Sequence, residues 1–244
     1  MNKQFASVYF KEFKSYFRTQ TAYFIMAVYM IISMIGTFYS GYFFFLNNSD
    51  FVSFFSFQPQ ILAILIPAVT MRLWADERKS GTLEYILTQP VNYAILVLGK
   101  YCAAVSFCLI LLTFTFPLWI YTNFLTTVDN MNVFSGYMGC FLTAAAFCAF
   151  GCVISAFCSN AVIAYLIAVL VSWGFMATNF NFIISFVAEV SRLPMSGEGQ
   201  SFNYMAHFQN FISGQIGIDN IIYFAGLIAL TLWFNVFVIE YKRS

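Results

Sequence analysis

Charged residues are scarce in this chain. Only 11 lysines and arginines and 10 aspartates and glutamates occur among 244 residues, which is 9% of the sequence, whereas hydrophobic residues make up 61%. Soluble domains carry about 25% charged residues. Because so few charges cannot cover so much apolar surface in water, the composition excludes a water-soluble globular fold. The net charge of +1 also offers no basic field that would attract nucleic acid.

Groups that catalyse reactions or bind metals are equally sparse. The single histidine, His207, has no second histidine to share a metal with, and no GxSxG nucleophile motif occurs. The six cysteines show no CxxC spacing and lie within or at the ends of apolar segments, which favours packing over disulfides or metal ligation. The sequence therefore predicts a chain that is not an enzyme and holds no metal or cofactor.

A phosphate-binding loop is absent from the sequence as well. The only Gly-Lys pair, Gly99-Lys100, is followed by Tyr101 and lacks the upstream glycine of the GxxxxGK[ST] motif. Acids, lysines and histidines, which carriers driven by protons or ions usually place inside the bilayer, are missing from residues 22–46, 101–128, 131–188 and 220–239. This disfavours a proton relay but leaves open a carrier that binds sodium through backbone oxygens.

Long apolar runs dominate what is present. A helix that spans a bilayer needs about 20 predominantly apolar residues, because lipid cannot satisfy backbone amides. No cleavable leader is recognisable in the first twenty residues, so the first run is expected to remain as a helix. The sequence predicts an all-α integral membrane protein with six transmembrane helices, at residues 22–46, 58–74, 95–121, 134–157, 161–187 and 221–239.

The basic residues predict the orientation of these spans. Cytoplasmic connections of membrane proteins carry an excess of lysine and arginine. Six spans place every lysine and arginine except Arg192 on one side of the membrane. Both termini are therefore expected in the cytoplasm.

The first twenty residues have a pattern of their own. An apolar and aromatic face recurs at three- and four-residue steps and includes one acid, whereas the lysines lie largely elsewhere; its members are Phe5, Val8, Tyr9, Glu12, Phe13, Tyr16 and Phe17. This pattern predicts an amphipathic helix in the membrane interface, with its lysines toward anionic lipid headgroups. The alternative is an ordinary positively charged start to the first span.

The connection between the second and third spans contains a second short pattern. A charged cluster, residues 76–79, precedes Ser80 and Gly81, and Leu83, Ile86 and Leu87 then share one side of a helical turn that Pro90 ends. We expect Ser80 to cap this helix. A short helix of this kind suits a groove in a soluble partner, and the alternative is a solvated loop.

The segment DERKSGTLEYILTQPV resembles the signature of ABC-type export permeases, the family called ABC-2, which lies between the second and third helices. The matching residues are Glu77, Arg78, Gly81, Thr82, Leu83, Glu84, Leu87 and Pro90. Gly99-Lys100 at the start of the third span also fits this family. The stretch from His207 to Phe224 resembles the small six-helix branch linked to gliding motility and copper-enzyme maturation.

This resemblance implies a permease subunit of the bacterial inner membrane that works as a dimer, with two separate cytoplasmic ATPase subunits binding ATP and magnesium. The helix at 81–89 would be the coupling helix, with the matched residues from Glu77 to Leu87 as coupling elements and the turn at 159–160 as a smaller contact. The second permease copy would be identical or a sister chain, and residues 188–220 would cap the exit path or meet an outer partner. A self-contained carrier or channel and a non-transporting scaffold of a secretion or motility complex remain alternatives, and the sequence does not reveal a cargo.

Small residues line one face of the fourth span. They recur mainly every four residues, and the face comprises Gly136, Cys140, Ala144, Cys148, Gly151 and Cys152. Such spacing allows helices to approach closely in lipid, so this helix is expected deep in the bundle. In the long outer connection, 188–220, we expect either a surface loop or a short helix that dips into the membrane with Phe208, Phe211 and Ile212 in apolar surroundings.

Overall fold

The computed structural model describes residues 2–40, 51–88, 92–125, 128–177 and 203–241, which form helices and turns without any strand. The helices are α1 (Asn2–Arg18), α2 (Gln20–Ile35), α3 (Val52–Thr70), α4 (Arg72–Lys79), α5 (Thr82–Thr88), α6 (Tyr93–Thr113), α7 (Phe116–Leu125), α8 (Asn130–Phe157), α9 (Ala161–Ala177), α10 (Tyr204–Ile212) and α11 (Ile218–Tyr241). A π-helical turn, Gly36–Ser40, continues α2.

Five helical stretches in the described part of the chain are long and apolar enough to cross a membrane. They are Gln20–Phe38, Val52–Lys79, Tyr93–Phe124, Asn130–Phe157 and Ile218–Tyr241. The all-α prediction is confirmed, and several of these helices suit a multi-pass membrane protein. Helix α9 is apolar but has 17 residues, and the rest of its predicted span, 178–187, lies outside the described residues, as does 41–46 of the first span. The sixth span and the orientation stay predictions.

Helix α8 is the centre of the bundle. It packs against α3, α4, α6, α9, α10 and α11. The small residues of its predicted packing face are all buried, namely Gly136, Cys140, Ala144, Cys148, Gly151 and Cys152. Their size lets neighbouring helices approach closely, as between the sulfur atoms of Cys148 and Cys108 of α6, which lie 3.5 Å apart.

The third predicted span, 95–121, lies within the apolar helical stretch Tyr93–Phe124, which contains one short turn. Helix α6 ends at Thr113, and α7 begins at Phe116. Pro117 explains the break, because proline has no amide hydrogen and its ring clashes with the carbonyl four residues earlier, which belongs to Thr113. Proline is tolerated in the first turn of a helix, and Pro117 occupies that position in α7.

The charged cluster at 76–79 is also helical, although the sequence pattern predicted a helix only after it, at 81–89. Helix α4 continues from α3 after a single residue and ends at Lys79. Leu73, Trp74 and Ala75 in its first turn are buried, and the hydroxyl oxygen of Ser155 in α8 accepts hydrogen bonds from the backbone N–H groups of Trp74 (3.0 Å) and Ala75 (3.2 Å). A partner on another helix therefore satisfies amides that the start of a helix leaves free.

A short helix does precede the last span. In α10, Phe208 and Phe211 are fully buried, and α10 packs against α8. A Cβ atom added to Gly139 of α8 would lie only 2.8 Å from the Cβ atom of Phe211, so the glycine allows this approach. The ring of His207 stacks on Tyr223 with 4.3 Å between centroids. Entry of α10 into the membrane stays a prediction, and 188–202 lies outside the described residues.

Candidate functional site

Helix α1 packs along α6 and brings its aromatic face to that helix. The hydroxyl of Tyr9 donates a hydrogen bond to Oγ of Ser106 at 3.0 Å, and the ring of Tyr16 stacks on Phe107 with 5.1 Å between centroids. The predicted amphipathic helix is present, and part of its aromatic face contacts protein. Its position in the membrane interface remains a prediction.

A buried lysine joins α1, α4 and α6. Lys100 of α6 is 2% exposed, and its Nζ atom lies 2.9 Å from Oε1 of Glu12 in α1 and 2.7 Å from Oε1 of Glu77 in α4. It also donates to the carbonyl oxygen of Leu73 at 2.9 Å. The three hydrogens of the ammonium thus have three acceptors. We call Glu12, Lys100 and Glu77 the charged triad.

The charged triad is largely buried, so the pairing of its charges matters for stability. The Nζ atom of Lys100 lies 4.9 Å from the ring centroid of Trp74, and the two carboxylates are about five-sixths buried, with 16% and 17% of their side chains exposed. An unpaired charge in such a place would cost several kcal/mol. Two carboxylates around one ammonium leave the triad with a net charge of −1. One carboxylate oxygen, Oε2 of Glu77, is buried and has no hydrogen-bond partner within the described ranges.

A cleft of about 290 Å³ opens beside the charged triad. Its walls come from α1, the first turns of α2, the end of α3, α4 and α6, and it is lined by all three triad residues and by exposed Lys11, Arg72 and Asp76. Tyr16 also lines it, and burial raises the pKa of this phenol well above its ordinary value. The neutral hydroxyl donates to the carbonyl oxygen of Val69 at 3.3 Å.

Helix α4 is fixed to the bundle at both ends. The hydroxyl of Ser155 donates to the Met71 carbonyl oxygen at 2.9 Å in addition to accepting from the first turn of α4. Near the other end, the guanidinium of Arg78 donates to the carbonyl oxygen of Phe157, the last residue of α8. Cations favour helix C-termini, where carbonyl groups lack intrahelical partners. Together with Glu77 in the charged triad, these contacts make α4 a rigid extension of the bundle.

The turn between α4 and α5 depends on one glycine. Gly81 has φ = +71°, a left-handed conformation that side chains disfavour. The predicted cap, Ser80, instead closes α4, because its hydroxyl donates to the carbonyl oxygen of Asp76 at 2.9 Å. The hydroxyl of Thr82 donates to the carbonyl oxygen of Glu77 at 3.2 Å. The start of α5 is therefore attached to α4.

The predicted coupling residues divide into two groups. Glu77, Arg78 and Thr82 bond to the chain itself, and Leu83 is 7% exposed. Glu84 and the neighbouring Tyr85, by contrast, are exposed on α5, Tyr85 by 67%. The backbone of Leu87 belongs to α5, while its side chain lies outside the described residues. The exposed face of α5 is the part that a partner can reach.

Substitution of Gly81 with alanine is expected to loosen α5. No atom lies within 4 Å of an added Cβ atom, so the cost is the backbone strain alone, about 1–2 kcal/mol. Asparagine tolerates the left-handed conformation better, so Gly81→Asn is the matched control. Hydrogen exchange followed by mass spectrometry should show faster exchange of the α5 amides in Gly81→Ala than in Gly81→Asn. Equal exchange in both variants would contradict the assignment.

The sequence reasoning missed the charged triad. It treated Lys100 as one of the basic residues that face the cytoplasm, and Glu12 as a member of the interfacial face of α1. One feature of the sequence indicated such a site: Glu12 is a single acid on an otherwise apolar helix face, and a buried acid needs a partner. The identity of that partner required the packing of α1 on α6.

Within the residues that the structure describes, no three histidine, cysteine, aspartate or glutamate side chains are grouped as metal ligands. Comparison with known protein families and with curated proteins gave no match for this chain.

Proposed function

We propose that this chain is the membrane permease subunit of an ATP-driven ABC exporter of the bacterial inner membrane. In this proposal the α4–α5 end of the bundle lies in the cytoplasm, and a dimer of separate ATPase subunits docks there. A second permease copy, identical or related, completes the assembly. The complex either exports a substrate or transmits a conformational change outward.

The observation that carries the proposal is the contrast between α4 and α5. Helix α5 presents Glu84 and Tyr85 to solvent, while α4 beside it is bonded to α6 and α8, and through Lys100 of α6 it is linked to Glu12 of α1. A short exposed helix joined to a rigid bundle suits a part that receives force and passes it on. The segment 76–91 also resembles the signature of ABC export permeases.

The connections suggest how force would pass through the protein. Movement of α5 would act on α4 through the Gly81 turn and the hydrogen bond from Thr82 to Glu77. From α4 it would reach α8 through Ser155 and α6 through Lys100. Because α8 contacts most other helices, its displacement would change the packing of the whole bundle.

Copurification tests this function. The tagged chain, extracted from its native cells in mild detergent, should bring down in stoichiometric amount an ATPase with a phosphate-binding loop, identified by mass spectrometry. A variant that lacks residues 82–88 should lose the ATPase and keep its membrane insertion. Recovery of the chain alone at every detergent strength would contradict the proposal.

Substitution of Glu84 with alanine is expected to uncouple the complex. Glu84 is exposed, so its loss should leave the fold intact while removing a contact to the ATPase worth about 1 kcal/mol or more. In a complex reconstituted with the copurified ATPase, the stimulation of ATP hydrolysis by the permease should fall about fivefold or more. Glu240→Ala, which removes an exposed acid near the end of α11, is the matched control and should keep full stimulation. Full coupling in Glu84→Ala would refute this role.

One observation favours a second function, a self-contained carrier. Carriers often hold buried ionisable groups that change partners during transport, and Lys100 lies buried between two carboxylates beside a cleft. The two functions make opposite predictions for purified chain in liposomes. A carrier would move a solute under an ion gradient without ATP, whereas a permease subunit would be inactive without its ATPase.

A further inference from the structure

The cleft beside the charged triad lies where α2 begins and α3 ends. Its lining includes Ala22 and Ile25 from the first turns of α2 and Ala68 and Val69 from the last turn of α3. Helix α2 begins one stretch that is able to span a membrane, and in another, Val52–Lys79, the uncharged residues of α3 are followed from Arg72 on by the charged residues of α4. Such a change from apolar to charged residues is expected at the level of the lipid headgroups. The cleft is therefore at headgroup depth, with an apolar wall on its membrane side.

Charge is separated within the cleft. The charged triad is the more buried part, with a net charge of −1 and the unpartnered, buried Oε2 atom of Glu77. The exposed part holds Lys11, Arg72 and Asp76, with a net charge of +1. A ligand that matches both parts carries a hydrogen-bond donor with positive charge at one end and an anion at the other.

We propose that the cleft binds the headgroup of an aminophospholipid. The primary ammonium would donate to the carboxylates of Glu12 and Glu77, which both line the cleft, and the phosphate would lie near Arg72 and Lys11. A volume of about 290 Å³ is just below the usual range for ligand pockets, about 300–1,000 Å³, which fits a headgroup whose acyl chains remain in the bilayer. Arg72 is free to meet a phosphate, because the one hydrogen bond it makes among the described residues is a long contact of 3.5 Å to the Thr21 hydroxyl.

The primary ammonium distinguishes this headgroup from those of other phospholipids. A quaternary choline ammonium has no N–H group and cannot donate to Glu77, and a glycerol headgroup has no positive charge. A charge-assisted hydrogen bond is worth about 1.5–3 kcal/mol, which corresponds to about tenfold in affinity or more. The site should therefore prefer phosphatidylethanolamine to both phosphatidylcholine and phosphatidylglycerol. This inference does not depend on the proposed transport function, because binding needs neither ATP nor an ATPase.

Native mass spectrometry of the purified full chain with the three lipids, matched in acyl chains, tests the proposal. One phosphatidylethanolamine should bind with a Kd about tenfold lower than that of phosphatidylcholine. Glu77→Gln should lower this preference. Arg72→Gln alters an exposed side chain, so this variant is expected to fold. Because it loses the phosphate contact, its affinity for phosphatidylethanolamine and for phosphatidylcholine should fall by about threefold or more. Lys14→Gln, an exposed lysine of α1 outside the cleft, should change neither value.

Several results would overturn the proposal. Equal affinity for phosphatidylethanolamine and phosphatidylcholine would exclude recognition of the primary ammonium. Stronger binding of phosphatidylglycerol would show that Lys11 and Arg72 select an anion without any contribution from the charged triad. Unchanged binding in Arg72→Gln would show that Arg72 does not contact the phosphate. This result can be obtained even if Glu77→Gln does not fold. Displacement of the lipid by soluble O-phosphoethanolamine at equal concentration would show that the ligand is a soluble zwitterion and not a lipid.

Discussion

Replacement of Lys100 with methionine is expected to destabilise the protein more than any other single change to its charged residues. The methionine fills a similar volume but leaves the carboxylates of Glu12 and Glu77 without their ammonium. Removal of one partner from a buried ion pair costs about 3–5 kcal/mol. Because both carboxylates keep some exposure to solvent, we expect a value near the lower figure. In detergent, this should lower the Tm by on the order of 10 °C.

Two comparisons isolate the cause of that loss. Lys14→Met removes an exposed lysine from α1 and should leave the Tm within about 2 °C of the original. Replacement of the whole charged triad, with Lys100→Met, Glu12→Gln and Glu77→Gln combined, should recover part of the stability, because no unpaired charge remains. The assignment fails if Lys100→Met is as stable as Lys14→Met, or if the triple variant is less stable than Lys100→Met alone.

Substitution of Gly151 with leucine is the second change with a large expected effect. A Cβ atom at Gly151 of α8 would collide with the side chain of Thr70 at the end of α3, and its distance to the Thr70 Cβ atom would be 2.8 Å. Leucine adds three further carbon atoms at this contact between two central helices. Overpacking of a core usually costs about 1–3 kcal/mol and sometimes more. We expect a marked loss of folded protein, measured as the monodisperse fraction on size-exclusion chromatography in detergent.

Gly174 provides the matched control. It lies in α9, is exposed, and has no atom within 4 Å of an added Cβ atom. The same substitution, Gly174→Leu, should be neutral or slightly stabilising, because leucine favours a helix by nearly 1 kcal/mol relative to glycine. Similar yields of the two leucine variants would contradict the central position of α8.

The apolar runs predicted the helices of the bundle well, because a long apolar segment in lipid has few alternatives to a helix. Two further features of the helices did not follow from the apolar runs. The break between α6 and α7 followed from Pro117, a residue that the sequence shows plainly. The charges of residues 76–79 did not predict their helical state. The start of α4 bonds to Ser155, which lies 81 and 80 positions from Trp74 and Ala75, and a single sequence does not show a contact so distant along the chain.

The candidate site was predicted in part and for a local reason. The segment from Thr82 to Thr88 has its own amphipathic pattern, and the structure contains a helix there. The charged triad, in contrast, joins residues from three separate helices, and a single sequence gives no measure of their distance. Lys100 stands near the start of an apolar span, where lysines usually face water. Its burial arises because α1 folds back over α6.

A photocrosslinking residue in place of Tyr85 tests the central proposal most directly. This side chain is 67% exposed on α5 and lies next to Glu84. In native cells, irradiation of a Tyr85→p-benzoylphenylalanine variant should link the chain to an ATPase with a phosphate-binding loop. The same group in place of Phe124, exposed at the end of α7, is the control and should give no ATPase adduct. No ATPase adduct from position 85, with the variant chain present at normal levels in the membrane, would contradict the assignment of α5 as the helix that couples the permease to its motor.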